Sequence, residues 1–169
     1  GKGLFLMSAA AKDSQTQWIG LEIAAKYAKL SAQKLSQAGF THATCFCADG
    51  VRVLDEVVPA GLLQAVHIYF PDPWWKARHK KRRVVNPRMM TAIDRALMPG
   101  GRFHFWTDVL DYFETSVAMI AETVNWKGPF LVDERAASDD MDYHTHFERR
   151  TRRNGMPVYR TFYEKNASI

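Results

Sequence analysis

Four short apolar stretches, each running into an acidic residue, constrain this chain more than any other feature. They cover residues 16–22 ("TQWIGLE"), 42–49 ("HATCFCAD"), 63–70 ("LQAVHIYF", followed by Pro71 and Asp72) and 102–108 ("RFHFWTD"), and each has the length and composition of a strand. Helix-forming segments separate them at 23–38, 51–58, 87–97 and 109–124. Gly39 is a natural stop for the first of these and Pro87 an acceptable start for the third. The last carries apolar positions at Tyr112, Phe113, Val117, Ile120 and Val124. "PGG" at 99–101 reads as the turn into the fourth strand, and 129–133 and 157–165 read as an antiparallel closing pair. Strand alternating with helix predicts one α/β domain over residues 1–169, a mostly parallel sheet with helices on both faces. Such sheets bind ligands outside the carboxyl ends of their strands. A lone acid there is ordinarily a turn residue or a helix cap. Four of them, Glu22, Asp49, Asp72 and Asp108, mark that end of the sheet as the place for a site.

The glycine pair in "GKG", Gly1 and Gly3, would let backbone approach a ligand and present amides to it. A glycine loop needs a strand to feed it, so the domain is expected to lack its first strand here. About 20 residues beyond the glycines, Glu22 stands where a carboxylate binds ribose hydroxyls. Asp49, at the next strand end, suits an amino group such as that of adenine. Together these read as an adenosine-type pocket.

In "PDPWW", Pro71 and Pro73 fix the backbone on either side of Asp72 and aim its carboxylate. At least one of Trp74 and Trp75 is expected in the core, with flat aromatic surface left beside the acid, as a site for a planar base requires. Lys76, Arg78, Lys80, Lys81, Arg82 and Arg83 follow at once, with His79 among them. So many like charges in one loop repel unless an anion neutralises them. Arg78, Lys80, Lys81, Arg82 and Arg83 are therefore expected to contact the phosphates of a nucleic-acid backbone. A second basic group lies at Arg149, Arg150, Arg152 and Arg153. The formal net charge of +5 agrees with an anionic partner. Membrane is the poorer choice, because no apolar helical face accompanies the charges and no apolar run could span a bilayer. Cys45 and Cys47 are too close to staple a fold and read as reduced, buried small hydrophobes of a cytoplasmic protein. As a Cys-x-Cys half-site they lack a second cluster, so no metal is expected. Residues 133–144 are polar and acidic and read as a mobile loop.

The block "FPDPWWKARHKKRR" closely resembles the signature of the bacterial transfer-RNA (guanine-N7)-methyltransferases. "RFHFWTD" and the late "THFERRTRRNG" match two further stretches of that family in the same order, so the resemblance spans essentially the whole chain. It implies a Rossmann-like methyltransferase fold, S-adenosylmethionine as cofactor, and methylation of guanine N7 in the variable loop of tRNA. It implies that Glu22 binds the cofactor ribose, Asp49 its adenine, and that Asp72 lies at the junction of cofactor and guanine. Lys76, Asp108, Thr145 and Glu148 match substrate-binding positions, and Asp72 and Asp108 are the expected catalytic pair. The chain departs from the pattern in carrying only the tail of the glycine motif, Gly1 to Gly3, and in having His146 where a lysine is common. The chain is expected to act as a monomer or homodimer. One rival reading is an exocyclic amino-group methyltransferase, whose acidic corner carries two adjacent prolines, whereas Trp74 follows a single Pro73 here. The other is a non-catalytic RNA-binding Rossmann module.

Overall fold

Apolar runs that end in acids become strands, and the amphipathic segments between them become helices. The computed structural model describes residues 2–133 and 145–167. In chain order its elements are α1 (Leu4–Lys12), β1 (Trp18–Glu22), α2 (Ala25–Gln37), β2 (Ala43–Cys47), α3 (Gly50–Glu56), β3 (Leu63–Tyr69), a 3-10 segment (Ala77–Arg82), α4 (Pro87–Ala96), β4 (Leu97–Thr107), α5 (Leu110–Thr123), β5 (Trp126–Leu131), α6 (His146–Arg153) and β6 (Tyr159–Lys165). The expected strands and helices are present, and β5 and β6 form the antiparallel pair.

β1 lies parallel to β2, with Glu22 opposite Cys47. β3 lies parallel to β4, and the second sheet runs β3-β4-β6-β5. Among the described residues the strands thus fall into two groups. Aromatic contact bridges them: the ring of Phe5 on α1 sits 4.9 Å from those of both His67 and Tyr69 on β3, and 6.0 Å from that of Trp18 on β1. The strand expected ahead of Gly1 and the polar stretch 134–144 lie outside the described residues.

The main core fills one face of the larger sheet. Phe103 and Phe105 of β4, Met90 and Ile93 of α4, and Tyr112 and Ile120 of α5 are all essentially inaccessible to solvent. Each such side chain contributes roughly 1.5–3 kcal/mol by leaving water. A smaller core joins Leu6 and Ala10 of α1, Leu35 of α2 and Ala43 of β2. Local chemistry sets the helix ends. The Asn86 side chain accepts from the Met89 amide at 3.0 Å, and Pro87 supplies the first turn of α4. Gly39, at φ 73°, lets the chain leave α2.

Several expectations need correction. "PGG" is not a free turn, because β4 already begins at Leu97 and the glycines lie in a register irregularity opposite Leu63–Ala65. A Cβ on Gly101 would stand 3.2 Å from the carbonyl oxygens of Leu63 and Gln64, so glycine keeps the two backbones close. Cys45 is only partly buried and Cys47 is exposed, since among the described residues β2 pairs with β1 alone. Neither tryptophan of the proline motif belongs to the core. Trp74 is partly covered and Trp75 is 72% exposed, since their loop projects beyond the strand ends.

Candidate active site

A cleft of about 550 Å³ opens at the carboxyl ends of the strands, a size that suits a small-molecule ligand. Its walls are the start of α1 (Gly3 to Leu6), Gly20 to Glu22 of β1, Tyr27 and Ser31 of α2, Cys45, the end of β3, and the start of α6. Gly3 turns into α1 at φ 76°, and a Cβ there would stand 2.8 Å from the Ser31 hydroxyl. Both the left-handed backbone and the contact demand glycine. Glu22 closes β1, and its Oε1 accepts from the Ala24 amide at 2.8 Å, which fixes the carboxylate at the cleft wall. Gly3, Glu22 and Thr145, all expected site residues, therefore line one cavity. Gly1 lies outside the described residues.

The other three acids lie at the same edge but not in the cleft wall. Asp49 caps α3, its Oδ1 accepting from the amides of Val51 at 2.9 Å and Arg52 at 3.4 Å. Tyr69 pairs with Trp106, and the Phe70 amide donates to the Trp106 carbonyl at 2.8 Å. Asp72 and Asp108 therefore leave neighbouring strands a few residues past a shared register. Asp72 is exposed, and its Oδ1 accepts from the Trp74 amide at 3.0 Å. Asp108 is half-buried, and among the described residues its carboxylate has no hydrogen-bond or ionic partner. Phe70 and Trp74, on either side of Asp72, hold φ of 51° and 47°. Non-glycine residues in this region are rare and concentrate at functional corners.

The basic run is not uniform. Lys76, Arg78 and Lys81 are exposed, and among the described residues no carboxylate engages them. Lys80 pairs with Asp111 at 3.0 Å, and Arg82 lies 5.0 Å over the Trp74 ring. Arg83 departs furthest from the expected phosphate contact. It is buried, and it donates to the Pro73 carbonyl, Thr115 and Asp111. The hydrogen bonds from Arg83 and Lys80 hold the Asp111 carboxyl below its ordinary value of 3.8. Burial pushes the Tyr112 hydroxyl beneath Arg83 up to about 12.

Thr145 caps α6 by accepting from the Glu148 amide at 2.9 Å. The Glu148 carboxylate faces inward, 3.3 Å from Arg160 of β6 and 3.4 Å from Arg152, and only 2% of the residue is exposed. It pins the helix to the sheet from beneath. Phe147 is instead half exposed at the cleft mouth, stacked 6.0 Å from Phe70, with Arg150 5.7 Å over its ring. The cleft residues Phe5, Tyr27, Ser31 and Phe147 were not legible as site residues. The Thr-x-x-Glu spacing, a capping-box pattern, was the available signal for the start of α6. Among the described residues no helix is long and apolar enough to cross a membrane, and no cluster of three or more His, Cys, Asp or Glu could hold a metal.

Residues 1–161 match the family model described as "Putative methyltransferase". The chain is 44% identical to a tRNA (guanine-N(7)-)-methyltransferase of Rhodopirellula baltica, covering 99% of this chain and 64% of that protein. It is 37% identical to one of Xanthomonas euvesicatoria pv. vesicatoria, covering 100% of this chain and 50% of the relative. The chain thus spans between half and two thirds of the length of these two relatives. Among solved structures, a SAM-dependent O-methyltransferase of Thermotoga maritima superposes with a TM-score of 0.57 at 15% identity, over 89% of this chain and 50% of that one. That likeness establishes the Rossmann-like methyltransferase fold.

Proposed function

The chain belongs to the methyltransferase family that it matches over residues 1–161, and from that premise we propose that it transfers a methyl group from S-adenosylmethionine to N7 of a guanine in tRNA. The observation that carries the reading is a shared edge. A cleft lined by Gly3 and Glu22 opens where Asp72 and Asp108 leave adjacent strands, and the exposed cations Lys76, Arg78 and Lys81 follow directly in the same loop. The activity named for the relatives from Rhodopirellula and Xanthomonas supports the choice of substrate.

The residues present fit the cofactor. The cleft has the volume for it, Gly3 keeps a side chain out of the narrow turn beside Ser31, and Glu22 offers a fixed carboxylate. Glu22 would take the ribose hydroxyls. Both cap bonds of Asp49 go to Oδ1, which leaves Oδ2 for the adenine amino group. When bound, S-adenosylmethionine supplies a methyl group already activated on a sulfonium.

Guanine N7 is an acceptor with a free lone pair, so no residue need remove a proton from it. The chain's work is alignment and electrostatics. The carboxylates of Asp72 and Asp108 would face the positive charge that develops on the base. Lys76 and Thr145 orient the nucleotide, and the exposed cations hold its phosphates. The test is methyl transfer to unmodified tRNA, with the modified base mapped. The expected product is 7-methylguanosine. A methyl group on an exocyclic amine, or RNA binding without cofactor binding, would replace this reading with one of its rivals.

A further inference from the structure

Arg83 sits in a run of cations but does not behave as one of them. Its Nε donates to the Pro73 carbonyl at 2.9 Å, Nη1 to the Thr115 hydroxyl at 3.2 Å and Nη2 to Asp111 Oδ2 at 2.9 Å. Its guanidinium carbon lies 4.3 Å from the centroid of the Tyr112 ring. Three of its N–H groups and one face of the guanidinium are thus engaged by protein, and the residue is 7% exposed.

The carbonyl that Arg83 grips belongs to the peptide unit between Pro73 and Trp74. The N–H of that same peptide donates to Asp72 Oδ1 at 3.0 Å. A continuous chain therefore runs from the guanidinium through one peptide plane to the carboxylate at the strand end. A donor on the carbonyl polarises the peptide and strengthens the bond that its N–H makes. The plane is otherwise hard to hold, because Phe70 and Trp74 on either side of Asp72 keep left-handed φ values of 51° and 47°. Such conformations persist only where the surroundings over-determine them. Arg83 is well suited to that task, since its planar fork holds several donors in one fixed geometry, whereas a lysine ammonium is a point charge on a flexible stem.

We propose that Arg83 is a positioning residue for Asp72, acting through the Pro73–Trp74 peptide, with Asp111 as the acceptor that orients the guanidinium. The inference rests on the methyl-transfer reading for its catalytic consequence, but not for its structural one.

The test compares Arg83→Gln with wild type in the intact protein. Three quantities are read: the single-turnover rate of tRNA methylation, the salt dependence of tRNA binding, and hydrogen exchange at the Trp74 amide relative to core amides of β4. The expected result is a rate lowered at least about tenfold, Trp74 exchange accelerated while β4 exchange is unchanged, and an unaltered log–log salt slope. Combining the substitution with Asp72→Asn should slow the reaction no more than Asp72→Asn does alone, as for residues acting through one contact. A salt slope reduced by roughly 0.7–0.9 would make Arg83 a phosphate contact and overturn the proposal, as would fully multiplicative rate losses or unchanged Trp74 exchange. If wild type yields no methylated product, the functional reading fails and Trp74 exchange alone decides the relay. Should Arg83→Gln not fold, Asp111→Asn gives the same readout: faster Trp74 exchange supports the relay and unchanged exchange sinks it.

Discussion

Gly3 illustrates how one position can serve packing and function together. Its φ of 76° and the Ser31 hydroxyl 2.8 Å from a would-be Cβ act independently. Gly3→Ala should cost roughly 1–2 kcal/mol for the backbone conformation, and more for the contact. Adding Ser31→Gly removes the hydroxyl and Cβ contacts, so urea unfolding should show a partial recovery, less the roughly 0.5–1 kcal/mol cost of a glycine within α2. The same substitution should weaken cofactor binding in a titration, because it moves the start of α1 at the cleft. The acids make a different prediction. Asp72→Asn and Asp108→Asn should each slow single-turnover methylation, yet the wild-type rate should show no deprotonation step between about pH 6 and 9, the window of tuned catalytic bases. A titrating step abolished by either substitution would point to amino-group chemistry. Glu22, Asp72 and Asp108 could be read from sequence because a strand-terminal acid needs only its own strand to be placed. The burial of Arg83 could not, because its partner Asp111 lies 28 residues away on α5.

Elements were legible where a pattern of apolar residues was bounded by a turn signal, which is why β1 to β4 and α2 to α5 were found. α1 escaped because its N-cap is Gly3 and its sequence, "LFLMSAAAK", is too short and too uniformly apolar to show a helical stripe. α6 escaped because "HFERRTRR" reads as a run of charge, although Thr145 and Glu148 have the spacing of a cap. What keeps α6 on the sheet is the buried Glu148 between Arg152 and Arg160. Glu148→Gln should destabilise the protein by roughly 3 kcal/mol, the low end for breaking a buried pair, since both contacts are long. Chemical denaturation measures this directly. The clasp between the 3-10 segment and α5 has a pH signature. The Asp111 carboxyl is depressed in the folded state, so its stabilising effect is complete above its unfolded value, near 3.8, and fades as pH falls further through the folded value. Asp111→Asn should therefore remove part of the acid-limb loss of stability while lowering stability at neutral pH.

At the scale of the whole molecule the net charge of +5 pointed to an anionic partner, but it could not say which cations face outward. Folding sorts them. Asp111 takes Lys80 and Arg83, Trp74 takes Arg82, and Glu148 takes Arg152 and Arg160. Lys76, Arg78 and Lys81, in the segment that follows Asp72, remain exposed. Counter-ion release makes this sorting measurable, because each phosphate neutralised adds roughly 0.7–0.9 to the log–log slope of affinity against salt. Replacing Lys76, Arg78 and Lys81 together by Gln should therefore lower the slope for tRNA binding by roughly 2–2.7. Replacing Lys80 and Arg83 should leave the slope close to that of wild type, although it loses as much formal charge per residue. Equal loss of slope per cation in the two sets would mean that net charge alone governs binding. Unequal loss, in this order, would mean that the fold has assigned the work by deciding which cations keep a carboxylate at hand.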